Sequence, residues 1–348
     1  MRSITSQMLP VSLFYYFLLR FRDWNIFNSD SIFLNFKHFM KKILTISLIG
    51  IFFISCNIDT KQKKEAASPD QFTFAFLTDI HLQPERNATE GFRKAIEKVN
   101  ELNPDFVITG GDLIMDALGV SYARADSLYT LYNEVSKGFQ MPVYNTFGNH
   151  ETFGVYKDSG IETTHEEYNK KMYENRIGER YYSFDHKGWH FIVLDAVGVK
   201  PERYYYGHID EEQIAWLKSD LQKITKETPI VISVHIPFIT SMTQLTKGSL
   251  EANGEGLVIT NARDVLLLLY EYNLKLFLQG HLHFLEDIYV GGKTHFITGG
   301  AVSASWWEGP RGIMEEGFVL VKVKDDQLDW DYIDYGWEVA ENLNFITP

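Results

Sequence analysis

The chain has 348 residues, 45% hydrophobic and 15% aromatic, a formal charge of −13 and one cysteine. That apolar content is ample for a well-buried core in one large domain or two modest ones. The acidic balance excludes a surface built to grip nucleic-acid backbone, which needs clustered Lys and Arg, and a lone thiol excludes an intramolecular disulfide.

Read from the N-terminus, residues 1–39 are aromatic-rich and show neither caps nor a period. Met40-Lys41-Lys42, the apolar run 43–54 and Ser55-Cys56 then form the basic, apolar and small-residue order of a secretory signal. The apolar run is too short for an ordinary membrane span, which needs roughly 20 residues. Cys56 after Phe53-Ile54-Ser55 resembles a bacterial lipobox, with Phe53 an unusual first residue. The expectation is that translation starts at Met40, that 1–39 is a mis-assigned extension, and that 40–56 is a signal peptide ending in a lipidated Cys56. A membrane-associated helix over 9–21, anchoring the chain instead, is the competing reading.

Residues 57–71 are polar and carry Ser68-Pro69, as a flexible tether would. A domain over 72–348 follows. Residues 72–79 read as a strand, 89–102 as a helix with Phe92, Ile96 and Val99 on one face, 105–110 as a strand and 122–137 as a helix. This alternation predicts βαβ units. Residues 181–194 read as a hairpin turning at 185–188, and Asp210 caps a helix over 211–224. Strands follow at 229–234 and 274–278 with a helix at 263–272 between them. The end is strand-rich: 287–290, a Gly291-Gly292 turn, 295–298, 318–323 and 328–332. The polar, glycine-containing segment 240–255 reads as a flap beside His235 or as a surface loop. Together these elements describe one α/β domain with mixed sheets.

Five short motifs end apolar runs: Asp79-Ile80-His81, Gly111-Asp112, Gly148-Asn149-His150-Glu151, His235 and Gly280-His281-Leu282-His283. Ligands in open α/β sheets bind beyond the strands' carboxyl ends, so separate strands can deliver these residues to one spot. Asp, His and Asn are the donors suited to Mn, Fe, Zn or Co. The spacing in Asp79-x-His81 and His281-x-His283 places each pair on one side of an extended segment, and Asp112 after two glycines suits a carboxylate shared by two cations. Glu151 reads as a hydrogen-bonding support for the turn at His150. His38, His165, His186, His190, His208 and His295 fit no such spacing and read as surface or hairpin residues.

The series D-x-H, G-D, G-N-H-E, H and G-H-x-H, spanning about 72–298, resembles the calcineurin-like metallophosphoesterase superfamily. The resemblance implies two mixed β-sheets packed as a sandwich and flanked by helices, four layers in all. It implies two divalent ions (Mn, Fe, Zn or Co), one held by Asp79, His81, Asp112 and His283, the other by Asp112, Asn149, His235 and His281. It makes His150 the non-ligand histidine that contacts the phosphate and protonates the leaving oxygen, with a metal-activated hydroxide as nucleophile. Met115 stands where iron–tyrosinate members carry a tyrosine, so a purple di-iron centre is not expected. Trp306 and Trp307 read either as an aromatic wall for substrate or as a core pair.

The reading is thus an exported, lipid-anchored phosphoesterase, in the periplasm or on the cell surface, acting on a phosphorylated small molecule and binding no nucleic-acid backbone. A cyclic-nucleotide-type phosphodiesterase is the alternative within the enzyme class. A non-catalytic binding lipoprotein on the same fold is the alternative outside it, and the presence of every donor and of His150 counts against it.

Overall fold

A computed structural model of the chain describes residues 71–339. The readings for 1–39, for the 40–56 signal with Cys56 and for the tether up to 70 lie outside those residues. The first described strand, β1 (Gln71–Leu77), takes in the last residue of the expected tether. Its period of two shapes the architecture. Phe72, Phe74 and Phe76 point into a core shared with Phe191, Val231, Leu276 and Ile297, while Ala75 and Leu77 point the other way, into a core shared with helix residues. A strand apolar on both faces is buried on both faces.

Five strands form the first sheet, in the order β13-β12-β1-β2-β3: β2 (Phe106–Thr109), β3 (Val143–Asn145), β12 (Phe318–Lys324) and β13 (Gln327–Ile333) join β1. The second has the order β10-β11-β9-β8-β5-β4, built from β4 (Tyr182–His186), β5 (Trp189–Val193), β8 (Pro229–Ser233), β9 (Asn273–Gln279), β10 (Leu285–Val290) and β11 (Thr294–Gly299). Strands β1, β2 and β3 run parallel, as do β5, β8, β9 and β11, and antiparallel strands complete each sheet. The sheets face each other across packed rings: Phe191 of the second sheet stands edge-on to Phe74 of the first at 5.5 Å and to Phe106 at 5.2 Å.

Helices cover the outer faces. Helix α1 (Ala88–Leu102) buries Phe92, Ile96 and Val99 and ends at Asn103, whose left-handed conformation (φ 48°) closes the last turn. Helix α2 (Tyr122–Ser136) packs beside it. On the second sheet lies α4 (Glu211–Leu221), capped by Asp210, which accepts from the Gln213 N–H at 2.9 Å. With α6 (Ala262–Leu269) it completes the four layers that the motif series implied.

The short elements were not legible: α3 (Lys171–Arg176), α5 (Met242–Lys247) and the ribbon of β6 (Val197–Val199) with β7 (Tyr205–Gly207). Three to six residues span too little of a period to show in sequence. Helix α5 gives the 240–255 segment a structured start, and Thr240 and Ser241 bind the Glu286 carboxylate. Of the histidines read as surface or hairpin residues, His190 is a hairpin one. It is buried in the hairpin, its ring held between Asp185 (2.7 Å) and Asp220 of α4 (2.9 Å). No helix among the described residues is long and apolar enough to cross a membrane.

Candidate metal centre

Strands β1, β2 and β3 of one sheet and β8 and β9 of the other end at the same place, and the motif residues follow those ends. The two sheets are tied there by one bond between side-chain hydroxyls, Thr146 Oγ1 to Ser233 Oγ at 2.7 Å, and one from side chain to backbone, the His235 ring to the Gly110 carbonyl at 2.8 Å.

Strand alternation does not aim the donors, contrary to the expectation from spacing. The strands have already ended, and Asp79, His81, Asp112, His281 and His283 all adopt left-handed backbone conformations, with φ of 54°, 47°, 52°, 72° and 47°. Such conformations cost non-glycine residues on the order of 1–3 kcal/mol each and persist only where surroundings over-determine them. Here the loops bind each other: Asp79 N–H donates to the Gly111 carbonyl (3.1 Å), His81 N–H to the Asp112 carbonyl (2.8 Å), and His281 N–H to the Asp79 carboxylate (3.0 Å).

Three groups of side chains are close enough to hold cations: Asp79 with His81 and His283; His81 with Asp112 and His150; and Asp112 with His235 and His281. Asp112 belongs to the second and third groups, its Oδ2 lying 3.1 Å from His235 Nε2, 3.7 Å from His81 Nε2 and 3.8 Å from His150 Nε2, and His81 links the second group to the first. Asn149 Oδ1 lies 3.1 Å from His235 Nε2. The outward nitrogens are engaged by backbone carbonyls: His235 Nδ1 by Gly110, His283 Nδ1 by Ala304 (2.5 Å), His281 Nε2 by Gly256 (2.8 Å). That leaves His235 Nε2, His283 Nε2 and His281 Nδ1 for the centre, each backed by the kind of carbonyl that orients metal-ligating imidazoles.

Protonation agrees with a cation site. Burial, reinforced by neighbouring imidazoles, lowers His81 far below its ordinary value and pushes His281 down to about 3, while burial and the Arg311 charge lower His283. These rings are neutral, which is the ligating form. Burial opposes charge on Asp112, yet His235, His150 and His81 hold its carboxyl well below the usual range. Against its own burial, His235 is raised to about 9 by Asp112 and Asp79. Without a metal, His235 carries a proton where the donor set offers a cation a place. Oxygen and imidazole donors without thiolate fit Mn, Fe, Zn or Co.

Glu151 does more than brace one turn. Fully buried, it accepts from the N–H groups of Leu113 (2.7 Å), Gly148 (2.8 Å), Asp112 (3.0 Å) and Ile114 (3.2 Å). Burial and the Asp112 charge push it up to about 7, while four N–H donors favour its ionised form. Gly148 lets the two loops touch, since a Cβ there would stand 2.2 Å from the Asp112 nitrogen. The His150 ring meets the Met115 carbonyl and sits partly exposed at the mouth.

The tryptophans separate. Trp307 is fully buried, donating its indole N–H to the carbonyls of Ile80 (2.9 Å) and His81 (3.1 Å), so it is a core residue and presents no face to a ligand. Trp306 faces the centre, its ring 4.6 Å from that of His283. A pocket of about 210 Å³ opens over the centre, walled on its outer side by Tyr205, Met242, Leu257, Trp306 and Arg311. Except for Trp306 these are residues that sequence reading missed, because each comes from a loop or short element with no motif.

Fold and donor set together define a metal-dependent hydrolase built across two mixed sheets. Residues 72–285 match the model of the calcineurin-like phosphoesterases, and the chain belongs to that family. It is a metal-dependent phosphoesterase for a phosphorylated small molecule. In three dimensions it is similar to a dimetal phosphatase from Danio rerio (TM-score 0.54, 17% identity, covering 76% of this chain and 96% of that one). It is also similar to GAP50, the anchor in the inner membrane complex of Plasmodium (TM-score 0.48, 16% identity, 77% and 86% covered). A third likeness is to the phosphopantetheinyl hydrolase of Mycobacterium tuberculosis (TM-score 0.43, 14% identity, 65% and 88% covered). The first likeness shows the fold. Among curated proteins none matches the sequence.

Proposed function

We propose that the chain is a dinuclear phosphoester hydrolase, exported and held to a membrane through lipidated Cys56. One cation is assigned to Asp79, His81, Asp112 and His283, the other to Asp112, Asn149, His235 and His281. The observation that carries this reading is the position of Asp112 Oδ2, within 3.8 Å of three imidazoles drawn from three different strand ends. A shared carboxylate oxygen is what two adjoining ions require. When bound, the ions supply a nucleophile by acidifying water and offset the charge of the phosphoryl group.

The chain's own residues do the rest. His150 stands at the mouth with Nε2 turned toward Asp112 and its other nitrogen on the Met115 carbonyl. Asp112, Asp116 and that carbonyl raise its proton affinity against burial. It is therefore placed to hold a proton and give it to the departing alkoxide, a transfer worth about 10²–10⁴ in rate. The small pocket admits the phosphoryl group with the near end of its alcohol, leaving the remainder over the outer wall. The order of basic, apolar and small residues over 40–56 supports the anchor.

The test is to express residues 57–348, strip metals, add Mn, Fe, Zn or Co, and assay p-nitrophenyl phosphate and bis-p-nitrophenyl phosphate. Turnover should depend on metal and vanish in Asp112→Ala. His150→Ala should keep its metals and lose about 10²–10⁴ in kcat on alkyl phosphates, with less loss on p-nitrophenyl esters, whose leaving group needs no proton. A protein that binds no metal ends the proposal. Mass spectrometry of the native N-terminus tests the anchor, and an unmodified Cys56, or any peptide from 1–39, removes it.

A further inference from the structure

One cation in the pocket wall is used by nothing described so far. Arg311 is exposed and lines the opening above the centre. Its guanidinium carbon lies 5.3 Å from the Trp306 ring centroid, and its Nη1 donates to the Leu282 carbonyl at 2.9 Å. Among the described residues its fork meets that carbonyl and no carboxylate. By contrast, Arg86, which also touches Trp306, is consumed, paired with Glu308 at 2.6 Å and donating to the Trp306 carbonyl at 3.1 Å.

The mount under Arg311 is built rather than incidental. Trp307 is anchored in the core by its two indole hydrogen bonds, and Ala304, Trp306 and Trp307 all take positive φ, at 48°, 49° and 68°. Bulky residues rarely adopt that conformation, and strain of this kind collects at ligand clamps. It turns Trp306 toward His283 while its neighbour stays buried. Arg311 itself is fixed by a tight turn, with reciprocal backbone bonds to Met314 of 2.9 and 3.1 Å. An arginine laid on an aromatic face keeps its charge and its planar fork, the geometry that suits a carboxylate or phosphate.

We propose that Arg311, backed by Trp306, is a specificity-determining residue that pairs with a second anionic group of the substrate, one other than the phosphoryl group held at the metal centre. The preferred substrate is then a phosphoester whose alcohol carries its own carboxylate or phosphate. Trp306 serves as the support for the guanidinium rather than as a platform for a base. This inference rests on the phosphoesterase reading above.

Initial-rate competition against p-nitrophenyl phosphate on Mn-loaded protein tests it, with alkyl phosphates and ω-carboxyalkyl phosphates of matched length, from two to five methylenes, as the competitors. The unaltered protein should bind at least one carboxylated member about tenfold or more tightly than its alkyl match, the scale of a charge-assisted pair. Arg311→Gln should abolish that ratio and leave alkyl phosphate binding within about twofold; Arg311→Lys should restore it in part. If no carboxylated member gains over its match, or if Arg311→Gln weakens both series equally, Arg311 does not read a second anion. If the unaltered protein binds metal but neither series, the phosphate site itself fails, and this proposal with it.

Discussion

His81 and His283, 202 positions apart in sequence, bring their Nε2 atoms to 2.9 Å of each other. Two imidazole nitrogens at that distance need a proton or a cation between them. His283 faces the Ala304 carbonyl with Nδ1, so its Nε2 offers a lone pair, and Asp79 Oδ1 lies 3.4 Å away. Titrating metal-free protein with Mn should show two equivalents, and His283→Ala should lower the affinity of one of them at least tenfold. Because an ion that binds only the folded state stabilises it, saturation at 100 times Kd adds about 2.7 kcal/mol. Chelation should therefore lower Tm by several degrees, and a Tm indifferent to chelator would contradict the site.

Glu151 ties the loop after β2 to the loop after β3 through four N–H groups. Glu151→Ala leaves all four donors buried without an acceptor, so a loss of about 3 kcal/mol or more is expected in urea unfolding. Glu151→Gln keeps one oxygen but turns an NH₂ group toward some of the donors, and should lie between. Equal stability of all three proteins would show that water takes the carboxylate's place.

Gly91 lies under Trp307 on helix α1. Alanine there gains about 1 kcal/mol of helix propensity, but its Cβ would stand 2.2 Å from Trp307 Cζ3 and 2.9 Å from Trp337 Cδ1. Both rings are buried and cannot step aside. Overpacking costs about 1–3 kcal/mol, so Gly91→Ala is expected to destabilise. It should also weaken metal binding, because Trp307 holds the carbonyls on either side of the Ile80–His81 bond. A stabilised Gly91→Ala protein would mean that the indole is free to move.

Acid should loosen the hairpin of β4 and β5. Burial pushes Asp220 up, but hydrogen bonds from His190, Lys223 and Ser183 outweigh it and hold the carboxyl below its usual range. A depressed carboxyl contributes stability that is present above its unfolded value, about 3.9. That stability is lost as pH falls through the lower folded value. The urea midpoint should drop below about pH 4, and His190→Asn should flatten the drop. An unchanged slope in that variant would place the acid-sensitive group elsewhere.

How far the sequence was legible follows from the reach of its interactions. The long strands and helices showed themselves because apolar period and caps are local: β1 declares both buried faces in seven residues, and Asp210 announces α4 one residue ahead. The donors were legible for a similar reason, since each motif is short and ends an apolar run. Met242 and Leu257 in the pocket wall, Tyr205 on its three-residue strand and Arg311 on its turn carry no such signature.

Sequence by itself determined the α/β class, the order of the motifs and the donor chemistry, because those depend on residue type and spacing along one segment. Tertiary structure alone decided how the donors are aimed. The left-handed turns at Asp79, His81, Asp112, His281 and His283 are held by bonds between loops distant in the chain. It also decided that adjacent tryptophans have opposite fates. Trp307 is buried by Gly91 and Trp337, from helix α1 and the C-terminal segment, while Trp306 is turned to the site by the strained backbone between them. No local pattern separates two neighbouring tryptophans, because what surrounds each comes from elsewhere in the fold.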